Sequence, residues 1–266
     1  MAALTATSNQ AYAAKKNKTE APNLERIKLA TLDSESPYYF PKLREKYLVN
    51  DTMTMKPEDF KYYYLGYMFQ EDYDPYRESI YSQKTDSLLQ VSRERKMQND
   101  STLNAMKARK ESPYELHIKS EELASASNKE RRDIVHYADL ALMDNPFDLN
   151  TMWLYQLVLK DMKKDMLANI WNYRLANLVS VIMGTGDGLS KETAFWVTSP
   201  EHEYAVLEIM GYRPIEYVDD YFNEGYDFLV VEPLDSRRKT SDTPKGFYFN
   251  VKKPVEEYAR KHPDEL

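Results

Sequence analysis

One glycine, Gly66, stands before position 184 in this 266-residue chain, and between Tyr76 and Met183 the only prolines are Pro113 and Pro146. Glycine and proline are the strongest helix breakers. So long a stretch with so few of them is predicted to be mostly helix. The prolines that do occur follow a pattern. Ser36-Pro37-Tyr38, Asp74-Pro75-Tyr76, Ser112-Pro113-Tyr114 and Asn145-Pro146-Phe147 share one form, with prolines 38, 38 and 33 residues apart. That period suits a two-helix repeat. Ser, Asp or Asn can accept amides of a first helical turn, and a following proline lacks a donor that would go unused. Ser112-Pro113-Tyr114-Glu115 reads as a capping box. Each junction is therefore expected to close one helix and open another, with the aromatic wedged between units.

Apolar spacing supports this. Ile134, Tyr137, Ala138, Ala141 and Leu142 recur at intervals of three and four, as do Met152, Tyr155 and Leu159, and then Met166, Ile170 and Tyr173. The last of these segments runs on almost wholly apolar to Met183. The segment from Gln83 to Lys110 is poorer, with Leu88, Leu89, Val91, Met97, Leu103 and Met106 set among charges. Its basic runs lack interleaved aromatics, so a solvated helix face is expected rather than a nucleic-acid surface.

Three of the seven glycines fall in Gly184-Thr185-Gly186-Asp187-Gly188. A phosphate-binding P-loop requires a glycine before its lysine, and here Ser190 precedes Lys191. The dinucleotide fingerprint fails because Leu189 stands at the third glycine. The cluster is read as a hinge, with Gly184 closing a helix. Beyond it, strands are expected over residues 193–198, 226–231 and 246–251. The polar loop 235–245 suits an antiparallel connection. A short helix from Pro200 to Met210 should turn Tyr204, Leu207 and Met210 inward and end at Gly211; a helical turn or two from Pro254 to Ala259 closes the chain.

Residues 1–183 carry 26 basic and 26 acidic side chains, whereas residues 184–266 carry 10 and 17. A neutral part followed by an acidic one argues against nucleic acid and anionic membrane as partners. No apolar run is long enough to span a bilayer. Without Cys there are no disulfides, thiol nucleophiles or cysteine-zinc sites. The small-x-small Ala11-Tyr12-Ala13 has two readings, the end of an export signal or a plain leader.

The chain holds 22 tyrosines. Phe60, Tyr63, Tyr64, Tyr67 and Met68 recur at helical spacing after Pro57, which suits helix packing. The other use of such tyrosines is a ligand surface, for which Tyr63, Tyr67, Tyr73 and Tyr76 are the candidates, with Glu71, Asp72 and Asp74 beside them. No catalytic set, cofactor site or metal site is expected. The histidines are only His117, His136, His202 and His262, with no nucleophile elbow, and His202-Glu203 lacks the second histidine of a zinc helix.

Six segments together resemble a family of uncharacterised exported proteins from gut bacteria of the Bacteroides group, known as a domain of unknown function. They are residues 36–43, 63–73, 145–149, 186–195, and 226–229 with 246–251. The resemblance covers nearly everything from position 23 onward. It implies a tetratricopeptide-like helical array and an export signal ending near Ala13, hence a periplasmic or extracellular location. It carries no activity. The expected architecture is mainly α: a leader over 1–22, an α-α superhelix over 23–183, and a small acidic α+β region with a short antiparallel sheet over 184–266. The expected function is non-enzymatic binding of a protein or peptide. The alternatives are glycan binding, or carboxylate-dependent glycan hydrolysis, at the tyrosine-rich surface.

Overall fold

The computed structural model describes residues 19–49, 52–77, 79–99, 126–219, 225–235, 237 and 240–263. The Ser112-Pro113-Tyr114 junction and the Ala11-Tyr12-Ala13 segment lie outside them. The helices are α1 (Leu24–Leu32), α2 (Phe40–Leu48), α3 (Pro57–Gly66), α4 (Ile80–Asn99), α5 (Asn128–Asp144), α6 (Leu149–Asp161), α7 (Asp165–Met183), α8 (Glu201–Met210) and α9 (Lys252–Lys261). The strands are β1 (Phe195–Trp196), β2 (Tyr212–Asp219), β3 (Tyr226–Pro233) and β4 (Gly246–Asn250). The chain is thus mainly helical, with one small sheet near its C-terminal end.

Two compact units divide it, and they do not follow a boundary at Met183. One comprises residues 1–76 with 176–266, the other residues 77–175. The N-terminal helices therefore belong with the C-terminal sheet rather than with the helices that follow them in sequence. The physical reason is α3. It is buried over Asp59, Phe60 and every residue from Tyr62 to Gly66, so no amphipathic stripe is left to continue an array.

In the 77–175 unit, α4 packs on α5 and α5 on α6. Leu89, Ala126, Ile134, Leu154 and Val158 form its core. Ser127 caps α5 in a reciprocal box, its Oγ accepting from Glu130 N (3.3 Å) while its own N–H donates to Glu130 (2.7 Å). Asp148 caps α6 by accepting from Thr151 N (2.8 Å), and its other oxygen accepts from the hydroxyls of Thr151 and Ser82 (2.7 Å each). A short side chain thus ties α4 to the start of α6. Met166, expected inward, is 79 % exposed. The buried face of α7 runs instead through Ala168, Ile170, Trp171, Leu175, Leu178, Val179 and Ile182.

The Pro–aromatic junctions use a hydrogen bond other than the expected helix cap. Ser36 Oγ accepts from Tyr38 N, Asp74 Oδ1 from Tyr76 N and Asn145 Oδ1 from Phe147 N, each at 3.0 Å. All three are side chain-to-backbone turns spanning two residues. At the third, α5 closes at Asp144 and α6 opens at Leu149, as the sequence implies. Proline sits in the turn, and the helix begins a few residues later.

In the other unit the sheet order is β1-β4-β3-β2. β3 pairs antiparallel with β4, as the polar loop between them requires, and with β2. β1 lies parallel to β4, Phe195 opposite Phe249, so the sheet is mixed rather than antiparallel. Alternation along β3 turns Asp227, Leu229 and Val231 inward. On α8 the buried set is His202, Glu203, Ala205 to Leu207 and Glu208; Tyr204 and Met210 are only half-buried. Gly211, at φ 88°, ends that helix as expected.

The glycine cluster is a tight turn that docks on the sheet. Gly188 N donates to Thr193 O, and Tyr248 N of β4 donates to Gly188 O, both at 2.8 Å. Asp187 Oδ1 accepts from Thr193 Oγ1 (2.6 Å) and Leu189 N (3.0 Å), which hold its carboxyl below the usual range. A Cβ on Gly186 would lie 2.0 Å from Thr193 O. Gly188 has φ +70°, and a Cβ there would lie 2.4 Å from the Phe195 ring. Gly188→Ala is expected to cost about 1–3 kcal/mol, from left-handed backbone plus ring displacement. Urea denaturation of the purified variant measures it.

Candidate functional site

The four candidate tyrosines do not share one surface. Tyr63 and Tyr73 are wholly buried, Tyr67 is half-buried, and Tyr76 is exposed. Their rings pack in pairs: Phe40 on Tyr63 at 5.0 Å, Tyr38 on Tyr62 at 3.9 Å, Tyr73 edge-on to Tyr67 at 5.1 Å. Burial of this kind is the packing use of tyrosine. Tyr76 alone presents a ring, edge-on to Tyr258 at 4.8 Å, and Tyr258 stacks on His262 at 4.4 Å. Glu71 and Asp72 are exposed, and Asp74 is committed to its turn. Nearby, Lys261 of α9 donates to the carbonyls of Met68 (2.8 Å) and Gln70 and lies 4.9 Å from the Tyr73 ring centre. Desolvation pulls its ammonium down to about 8, with Arg260 adding to this and Glu257, Asp72 and Glu71 opposing it.

A buried polar network, absent from the sequence expectation as a group, links α3, the segment before α8, and α8 itself. The Tyr64 hydroxyl accepts from Thr198 N at 3.1 Å and meets His202 Nδ1 at 2.8 Å. Tyr73 donates its hydroxyl to Thr198 O at 2.7 Å, and Ser199 donates to Pro75 O at 3.0 Å. Burial pushes the Tyr64 and Tyr73 phenols well above their usual range, so both stay protonated. One helical position on from His202, Glu203 is buried, as is Asp227 of β3, and burial followed by the Asp227 carboxylate raises Glu203 well above its usual range. A sequence signal exists for each acid singly. Asp227 shares its strand parity with Leu229 and Val231, and Glu203 lies one helical turn before Val206 and Leu207. Their proximity, across 24 residues of chain, has none.

These side chains are enclosed, and among the described residues no group of three His, Asp or Glu could hold a metal ion. Nor is any described helix long and apolar enough to cross a membrane. His136 is exposed.

The accessible candidate is the edge of the sheet. Among the described residues β2 pairs with β3 alone. Its pairing slips between Pro214 and Glu216, leaving Ile215 as the extra residue of a bulge. From Ile215 to Val218 every residue is exposed, including Ile215 at 57 %, Tyr217 at 49 % and Val218 at 42 %. Pro214 demotes this segment in a sequence reading, and a proline in a strand is tolerated mainly at an edge or a bulge. Both conditions hold here.

The network predicts unequal costs for two tyrosine substitutions. Tyr64→Phe removes the acceptor of the Thr198 N–H and the 2.8 Å partner of His202 Nδ1 and should cost about 1–3 kcal/mol. Tyr76→Ala removes an exposed ring and should stay within about 1 kcal/mol. Parallel denaturation curves for the two variants check this.

No curated protein and no solved structure matches the chain. One family model, described as "Domain of unknown function (DUF4919)", matches residues 25–118 and 94–260. Those stretches take in α1 through nearly all of α9, and the chain belongs to that family.

Proposed function

We propose that the protein is a non-enzymatic binder of protein or peptide, and that its partner adds a strand alongside β2. The observation that carries this is the exposed run Ile215–Val218 on the outer strand of the sheet. An edge strand offers a row of main-chain groups to any extended segment, and natural edges are usually blunted by proline, bulges or charge. Here Pro214 and the bulge blunt only the first half. Strand addition draws affinity from main-chain hydrogen bonds and selectivity from alternate side chains. The partner is an extended segment with apolar residues at every second position. Basic flanks would suit the acidic excess of residues 184–266.

The helices of the 77–175 unit support a tetratricopeptide-like reading through their consecutive packing and the Pro–aromatic turn joining α5 to α6. The resemblance supports export, with Ala11-Tyr12-Ala13 as the end of the signal. A second reading, glycan binding, is favoured by Tyr76, 50 % exposed and held by Tyr258, with Glu71 and Asp72 on the same loop.

Selection of a random peptide library on the immobilised protein tests the main reading. Alternating apolar peptides should be enriched, and their affinity should fall at least about tenfold, roughly 1.4 kcal/mol, for the Ile215→Lys, Val218→Lys double variant. Both side chains are exposed, so the fold should survive. Absence of enrichment, or affinity indifferent to the lysines, overturns strand addition; glycan-array binding lost on Tyr76→Ala would favour the second reading.

A further inference from the structure

Three helices of the larger unit, α3, α8 and α9, are ten residues long, and they are anchored unequally. α3 buries seven of its residues and α8 buries six. α9 buries two, Pro254 and Glu257. Packing of an apolar face supplies most of what holds a helix in a protein, so α9 is the least firmly held of the three. Its buried acid draws its partners from its own helix. Lys253 reaches Glu257 at 2.9 Å, and Arg260 reaches it at 2.9 and 3.0 Å. These ion pairs travel with α9 and survive its departure.

What α9 covers is the tyrosine cluster of residues 67–76. It packs on the short 3-10 helix Tyr67–Phe69. Lys261 Nζ lies 4.9 Å from the Tyr73 ring centre and donates to Met68 O at 2.8 Å and to Gln70 O. Tyr258 meets Tyr76 at 4.8 Å, and Tyr67 meets Tyr73 at 5.1 Å. Tyr73 is wholly buried although it belongs to a loop. The clasp has a cost: desolvation draws the Lys261 ammonium down to about 8, so its carbonyl bonds do not fully replace the lost water. At the other end α9 is fixed to the sheet, since Val251 N donates to Gly225 O at 3.2 Å and Lys252 N to Asn250 Oδ1 at 3.3 Å.

We propose that α9 is a strap, hinged at Val251 and clasped by Lys261, that opens without unfolding the sheet and uncovers Tyr67 and Tyr73 beside Tyr76. Closed, it keeps the first two phenols from solvent. Open, it presents three rings next to Glu71 and Asp72. For its ligand the strap rests on the glycan reading; the opening is measured with no glycan present, so each can fail without the other.

Amide exchange of the whole protein in native buffer, read by mass spectrometry, tests the strap. In the wild type, residues 255–261 should exchange at least about tenfold faster than residues 205–210 of α8, because local opening costs less than global unfolding. Lys261→Met keeps the aliphatic stem and removes the charged donor. It should quicken exchange over 255–261 by a further tenfold or so and leave 205–210 unchanged. Hydroxyl-radical footprinting supplies the second reading. Oxidation of Tyr73 should rise in the variant, while Tyr63, enclosed by α2, stays protected. Should Lys261→Met not fold, the wild-type comparison of α9 with α8 still decides. One common exchange rate for the two helices, or oxidation of Tyr63 in step with Tyr73, would overturn the strap.

Discussion

A tyrosine hydroxyl inside a protein must find a polar partner, and this rule organises the unit built from the two ends of the chain. α3 is enclosed along most of its length, so its phenols cannot reach water. Tyr64 answers the constraint at Thr198 and His202, and Tyr73 answers it at the Thr198 carbonyl. Each bond crosses more than 120 residues of chain. An unsatisfied hydroxyl or amide here would cost about 1–3 kcal/mol, comparable with burying a large apolar side chain. The network is therefore a reason, alongside ring packing, that α1–α3 associate with the sheet.

The same interior separates two kinds of chemistry. Phenols and a histidine settle into hydrogen bonds, while two acids, Glu203 and Asp227, are buried. Outside, the exposed run Ile215–Val218 on β2 carries three apolar side chains and Glu216. Tyr64, His202 and Glu203 are shielded from solvent, and Ile215 and Val218 are not.

Much of the helical layout was legible because it depends on local signals. The apolar period of α5 and α6, the turn at Asn145-Pro146-Phe147 and the Gly211 stop all act within a few residues. The failures involve partners distant in sequence. Tyr63 and Tyr73 carry the same local signature as a surface platform; only the closing of α2, the segment before α8 and α9 around them decides burial. β2 went unread because Pro214 argues against a strand, a penalty cancelled by an edge position that only the sheet order reveals. β1 contributes two residues, and its parallel partner lies beyond two intervening strands in sequence. Glu203 was left out of the inward face of α8, set at Tyr204, Leu207 and Met210, and nothing local states that it lies close to Asp227.

The discontinuity of the larger unit has a consequence during synthesis. Its first 76 residues leave the ribosome about a hundred residues ahead of the segment that completes them. Until Thr198 and the phenylalanines of β1 and β4 emerge, the tyrosine-studded helix has no interior to occupy. The helices of 77–175, whose contacts are local, can settle first. Nascent chains halted just after that middle unit would thus carry a finished middle and an unsatisfied beginning.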